Sequence, residues 1–410
     1  VTASIDDGRV IARRTPSARV IFLLGGLAAI GPLSTNIILP SFPSLARQFH
    51  IDDRELGATL SSFFFAFAIG QLFVGPLSDR FGRRPLIVGG LALFLLGTIL
   101  CGVAETLNML IAGRVVQALG ACAASVLSRA ISRDLFDGEA LTRVFSLTMI
   151  ATAAAPGFSP IVGSALDGFF GWRSIFIVVA MAAILLNLAY NFGLGETHPK
   201  DRRAPHTIWS VARAYLELVV DWRFISPAFA VSAIYGGLYA FFGTAPAILV
   251  GQLGLTPVQL GLFFAASVVV VVGAGLAAPR LAHRAGSSPI ALGAALIALI
   301  GGIMLIATGK SGDLSTFSTA VVIFLFGVAV VTPLGSAISL SPFGPKAGMA
   351  SALLGFMQMT CAAISTQLAA ILHVTPWVAL GWVMCGGSVV AIPLFLLGHI
   401  MAVREKASAI

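Results

Sequence analysis

Two groups of polar residues interrupt an otherwise apolar chain, and each suggests a definite chemistry. The first is Gly75-Pro76-Leu77-Ser78-Asp79-Arg80-Phe81-Gly82-Arg83-Arg84-Pro85, where one carboxylate sits among three guanidiniums. Such a cluster makes charge-assisted hydrogen bonds, while Gly75, Gly82 and Pro85 let the backbone reverse within a few residues. The second is Arg114 with Gln117, well inside an apolar run. A charge at such a position costs about 2.5–3.5 kcal/mol or more unless hydrated or paired, so Arg114 is expected to face an internal cavity. Neither group is catalytic in type. The sequence has no nucleophile–base pair, metal-ligand cluster or phosphate-binding loop. Its six histidines are scattered, and Cys101, Cys122, Cys361 and Cys385 lie in apolar runs without ligand spacing. Neither an enzyme nor a cofactor nor a metal is expected.

The elements that must position these residues are membrane spans. Of 410 residues, 58% are hydrophobic and 10% charged, with mean hydropathy +0.97. Soluble domains carry about 25% charged residues, so this is an integral membrane protein. Apolar runs of spanning length recur at roughly 18–40, 56–76, 86–104, 108–131, 144–166, 174–194, 224–250, 257–279, 289–308, 316–339, 347–371 and 376–401. Only helices satisfy the backbone across such runs, because alternating barrel strands are absent. The expectation is an all-α protein of twelve transmembrane helices in two pseudo-symmetric six-helix bundles, 1–194 and 224–410. Residues 195–223 read as a linker, in which Ile208, Val211, Ala212, Tyr215 and Leu216 form one face of a surface helix.

Charge sets the orientation. By this assignment twenty of the 25 Lys and Arg lie on one side and four on the other, with Arg114 inside a span. Lys and Arg accumulate on the cytoplasmic side, so both termini are expected there. The net charge of +8 is spread over loops and offers no surface for nucleic acid; the partners expected are the bilayer, a small molecule and protons, with the chain a monomer. Arg9, Arg13, Arg14 and Arg19 precede the first run as they would in a signal peptide, but no cleavage site and soluble domain follow, so that run is read as a retained span. The halves echo each other: Gly82-Arg-Arg-Pro85 corresponds to Gly286-Ser-Ser-Pro289, with Arg80 matched by Arg284.

Gly75, Asp79, Arg80, Gly82, Arg83 and Arg84 together resemble the signature between the second and third helices of the major facilitator superfamily. That resemblance implies a substrate site near the bilayer midplane between two six-span halves. It also implies that Arg83 pairs with Asp134; the N–H groups and dipole at the start of the eleventh helix near Lys346–Ser351 favour an anion, so Asp79 is expected to accept hydrogen bonds there, latching the halves on the inside. Arg114-Val-Val-Gln117-Ala118-Leu-Gly120 resembles the fourth-helix motif of the superfamily's proton-driven exporters, with Ala118 in place of a glycine. Pro156-Gly157-Phe-Ser159-Pro160-Ile-Val-Gly163-Ser164 is similar to the antiporter signature of its drug exporters, two serines replacing glycines.

Ser34-Thr-Asn36-Ile-Ile-Leu-Pro40-Ser-Phe-Pro43 resembles the bicyclomycin and chloramphenicol exporter subgroup, where an Asp stands at the position of Asn36. An asparagine hydrogen-bonds but cannot exchange a proton. Three explanations stay open: an introduced substitution imitating the protonated acid, a natural facilitator, or coupling through a span-edge acid such as Glu105. Cavity lining is expected from Phe63, Phe64, Phe65 and Phe67, from Tyr235, Tyr239, Phe241 and Phe242, and from Gln117, Met149, Asn187, Gln358 and Gln367. A mostly apolar pocket of this kind suits lipophilic, uncharged or cationic molecules. The resemblance thus implies a drug:proton antiporter of the bacterial inner membrane, driven by the proton gradient; the alternative is a carrier of a natural metabolite on the same fold.

Overall fold

The structure is a computed structural model. It describes residues 17–408 except 53–54, 200, 202, 204–207 and 310–311, so Arg9, Arg13, Arg14, Lys200 and Arg202 lie outside the described residues. The chain runs through α1 (Ala18–Asn36), a 3-10 turn (Leu39–Ser41) and α2 (Phe42–Phe49), then α3 (Gly57–Phe81), α4 (Arg83–Gly102), α5 (Leu107–Leu135), α6 (Gly138–Phe170) and α7 (Arg173–Gly193). After α8 (Ile208–Val220) come α9 (Trp222–Pro246), a π turn (Ala247–Gln252), α10 (Pro257–Ala285), α11 (Ser287–Thr308), α12 (Leu314–Leu340), α13 (Ala347–Ile371) and α14 (Pro376–Ser408). Twelve of these segments are long and apolar enough to cross a membrane. The protein is an all-α, multi-pass membrane protein, as the apolar runs require.

Polar side chains cap the short connections at the end away from the arginine-rich turn. Thr106 accepts the Met109 N–H at 3.2 Å, Asp313 accepts that of Thr316 at 2.9 Å, and Thr256 and Gln259 form a reciprocal box. At the arginine-rich end, called here the basic end, Gly82 (φ 98°) and Gly286 (φ 86°) occupy matching turns before α4 and α11. Only glycine adopts that conformation without strain, so the weak echo between the halves is a real structural repeat.

Helix contacts divide the chain into α1–α7 and α9–α14, which meet along two seams, α3 against α13 and α6 against α10. Within each half one pair is drawn together by glycine. A Cβ on Gly120 would overlap the Phe94 backbone N and the Gly90 carbonyl, fixing α5 on α4; in the other half a Cβ on Gly301 would stand 2.7 Å from Phe324 N, fixing α11 on α12. Lipid tails give no hydrophobic drive for such pairing, so close backbone approach supplies the attraction. α8 turns Ala214 and Leu218 inward and bonds Tyr215 Oη to the Leu72 carbonyl at 3.0 Å. Leu216, expected on that inner face, is 65% exposed, because the buried stripe follows 211, 214/215 and 218 instead.

Candidate functional site: a cavity between the halves

A cavity of about 300 Å³ lies between the halves. Phe63, Phe64 and Phe67 of α3 form one wall, and Tyr235 and Tyr239 of α9 face them, with the rings of Phe64 and Tyr239 4.6 Å apart. From there the cavity extends along Gln71, Gln358 and Thr152 to Leu340 and Ser351, at the basic ends of α12 and α13. On the other side of the aromatic floor the seams close. A Cβ on Gly57 would stand 3.3 Å from that of Ala370, and one on Gly261 2.9 Å from Ile161 Cγ1.

Each residue singled out from the sequence takes a definite place. Tyr235, Tyr239 and Gln358 line the cavity, the two tyrosine hydroxyls 3.4 Å apart. Arg114 and Gln117 are both fully buried and stand outside the lining. Arg114 Nη1 donates to the Ser34 carbonyl at 2.9 Å and to Gln117 Oε1 at 2.8 Å, while Gln117 Nε2 donates to Thr98 at 2.8 Å. The guanidinium stacks over Phe63 at 5.6 Å, so it touches the cavity only through that ring. Its Nε and Nη2 are buried without partners, which is costly for a charged group. Outward snorkelling to the headgroups is thereby replaced by inward anchoring.

Asn36 is 2% exposed and also stands behind the lining, to which its neighbour Thr35 belongs. Its Nδ2 donates to the Pro32 carbonyl at 2.7 Å and to Thr35 Oγ1 at 3.2 Å, not to Arg114's acceptors. Met149 lies off the cavity with 72% of its surface exposed, because the α6 face turned inward carries Thr148 and Thr152, one helical step away. Phe65 is likewise 51% exposed, and Phe241 and Phe242 pack with Phe264 in an aromatic cluster rather than on the cavity. Asn187 bonds Asn191, and Gln367 is exposed.

The antiporter-like stretch runs as unbroken helix through Pro156 and Pro160. Its glycines are contact points: a Cβ on Gly163 would overlap the Ile37 carbonyl at the end of α1, and one on Gly157 would stand 3.2 Å from Val268 across the seam. Glu105 is exposed in the turn before α5.

At the basic end Arg83 donates to Asp134 at 2.9 Å and to Asp79 at 2.5 Å. Asp79 is therefore occupied within its own half, and among the described residues no bond joins it to α13; a Cβ on Gly348 at the start of α13 would meet nothing within 4 Å. The latch drawn from the sequence is not assembled, because the cavity separates the basic ends of the helices that would form it. Around the turn, Gly75 has open space beside it, Arg80 lies over Phe81, and Arg84 Nε donates to Asn191 at 3.2 Å.

Two contributors escaped the sequence reading. Glu196, past the end of α7, accepts the backbone N–H groups of Arg83 (2.9 Å) and Arg84 (3.3 Å) at the start of α4. Burial works against its charge, but the N–H groups of His198, Arg83 and Arg84 and the Arg203 guanidinium outweigh it and hold the carboxyl below the usual glutamate range. An anion facing a helix start is the signal that could have found it. The other is Arg129, on the cavity wall one turn beyond Ser125.

Two six-helix halves around a central cavity, without reactive chemistry in it, define a membrane transporter. The chain belongs to the Major Facilitator Superfamily, which residues 24–366 match. It is 32% identical over 359 residues to an uncharacterized MFS-type transporter, YdgK, of Bacillus subtilis, covering 86% of this chain and 89% of that one. A bicyclomycin resistance protein homolog of Haemophilus influenzae is 31% identical over 352 residues, 85% of this chain and 88% of that one. In fold it is similar to a D-xylose-proton symporter, with a TM-score of 0.72 at 16% identity, covering 93% of this chain and 96% of the other.

Proposed function

We propose that the protein exports small lipophilic compounds from a bacterial cell across the inner membrane by alternating access, in an exchange for protons that needs an acid at position 36, where this chain carries Asn. The observation that carries this reading is the cavity between the halves, floored by Phe63, Phe64 and Tyr239 and continuous toward one end only. With the basic end in the cytoplasm, along with both termini, this is an inward-facing conformation, ready to take up a compound from inside. The relative named for bicyclomycin resistance supports a drug as the cargo.

The environment of Asn36 supports the proton part. Its amide hydrogen bonds go to the Pro32 carbonyl and the Thr35 hydroxyl oxygen. A protonated Asp could donate to the same carbonyl; an ionised one would set its charge against that oxygen. Asn36 thus imitates the proton-loaded acid, and the inward-facing conformation is the one in which an antiporter has carried its proton in and awaits cargo.

Cells expressing this chain and Asn36→Asp are compared for efflux of bicyclomycin and chloramphenicol. Asn36→Asp is expected to lower accumulation and to lose that effect when the proton gradient is collapsed. Equal accumulation in both strains and in the empty-vector control, at matched membrane expression, would overturn the reading.

A further inference from the structure

One charged residue in the cavity has no partner among the described residues. Arg129 lines the wall on α5, surrounded by protein yet exposed to the cavity, and among the described residues no hydrogen bond or ion pair holds it. Its ionisable neighbours are Cys122, Arg133 and Tyr235, none of them a carboxylate. No described Asp or Glu lines the cavity. Of the other carboxylates in described spans, Asp79 and Asp134 bond Arg83, Asp167 bonds Ser44 at the far end of α6, and Glu139 is exposed in the first turn of α6, off the cavity lining. Such a guanidinium presents five N–H donors to whatever fills the space, in a fork that fits an oxyanion.

Depth separates this cation from the aromatic floor. Asp79 and Asp134 share Arg83 and so lie at one level. Phe64 is fifteen residues from Asp79 and Arg129 five from Asp134, so their Cα levels differ by ten residues, about 15 Å at the helical rise. Side chains lean toward the helix N-terminus, which carries the Arg129 head inward and shortens that gap. Between the two lie Gln71, Gln358 and Thr152.

We infer that the cavity selects organic anions, seating one acidic group (carboxylate, sulfonate or phosphonate) on Arg129 and an aromatic or alicyclic body against Phe63, Phe64 and Tyr239. The inference rests on the cavity being the substrate site, and it replaces the expectation of uncharged or cationic cargo with acids. Arg133, one turn further out on the same helix, adds positive potential at the mouth, where it favours entry of an anion.

The test uses the full chain in lipid nanodiscs and three probes that differ in charge: 9-anthracenecarboxylate, its methyl ester, and 9-(aminomethyl)anthracene. Binding is followed by fluorescence anisotropy. The carboxylate is expected to bind about tenfold or more tightly than the ester, the scale of one charged hydrogen-bonded pair, and the amine more weakly than either. Arg129→Gln should erase the preference, and Arg129→Lys should keep part of it. Equal affinity for acid and ester, no saturable binding of the acid, or a preference that survives Arg129→Gln would each overturn the inference. Should Arg129→Gln not purify as a monodisperse species, the three probes on the unaltered chain and on Arg129→Lys decide it. An acid preference without efflux of 9-anthracenecarboxylate from cells would sink the exporter and leave the site; efflux with no acid preference would do the reverse.

Discussion

Arg114 and Arg129 stand on one helix, α5, and live in opposite surroundings. Arg114 is sealed from solvent, held by the neutral acceptors Ser34 O and Gln117 Oε1 behind the Phe63 ring. Arg129, four turns on, has no acceptor and opens on the cavity. Hydration explains how both are tolerated: the second keeps water around its charge, whereas the first has exchanged water for three protein contacts and left two nitrogens unpaired. One helix therefore carries a dry cation that fixes the cavity wall and a wet one that meets what enters.

What keeps Arg114 dry is the seam between α4 and α5, and breaking it should have the largest effect. Gly120 lies against Phe94 N and Gly90 O, where even a methyl group overlaps backbone. Gly120→Val should push the helices apart and cost about 3 kcal/mol or more, since neither backbone can yield as a side chain would. The expected readout is loss of monodisperse protein after solubilisation; a well-folded Gly120→Val with unchanged melting temperature would show that the seam is looser than it stands.

Arg114 itself gives the second contrast. A buried, half-satisfied charge costs stability, and apolar replacement of such groups is often neutral or stabilising by about 1–4 kcal/mol. Arg114→Met is expected to leave the melting temperature unchanged or raised while transport falls about tenfold or more, because Phe63 and Ser34 lose their anchor. Arg114→Lys should not rescue transport, because an ammonium on a shorter side chain does not stack as a plane over the Phe63 ring as the guanidinium does. Loss of stability without loss of transport would reverse the assignment of roles.

The two arginines also show how much was legible beforehand. Twelve spans, the linker helix and the pairing of Arg83 with Asp134 follow from hydropathy and a strong motif. Arg114 was conspicuous because apolar residues flank it on both sides. Arg129 was hidden by Arg133 and Asp134 just beyond it, which made the whole stretch look like a loop edge. Its phase with Ser125, one turn earlier, was the available signal. Met149 failed for the converse reason, since its type suits a cavity but its helical phase turns it out. The small-residue seams were unreadable: a glycine in a span does not say which helix it meets.

The wet side depends on the frame of the basic end, and there pH gives a smaller effect. Glu196 titrates below its ordinary value of about 4.5 because the folded protein surrounds it with donors. A carboxyl whose folded value is depressed contributes stability that is fully present above the unfolded value and is lost as pH falls through the folded one. As pH falls from about 5 through the folded value, which lies below 4.5, the parent should therefore lose its melting-temperature advantage over Glu196→Gln, and the two should converge only below that folded value. A constant gap across that range would mean that Glu196 acts by shape alone.

Smallest of all should be the exposed bridge from Lys346, before α13, to Glu217 on α8 at 2.6 Å. Arg213 and Lys346 lower the Glu217 carboxyl, Lys346 the more strongly, yet all three side chains are largely solvated. Exposed ion pairs hold little against screening and side-chain freedom. Glu217→Gln is thus expected to leave the melting temperature unchanged within error, although the bridge spans from the linker to the second half. The same substitution separates fold from motion, because a contact too weak to support the fold can still bias two conformations of similar energy. Labels on α3 and α13 at the basic end would report a changed distance distribution if the bridge sets how wide the mouth stands; an unaltered distribution would leave α8 held to the wall by Tyr215, Ala214 and Leu218 alone.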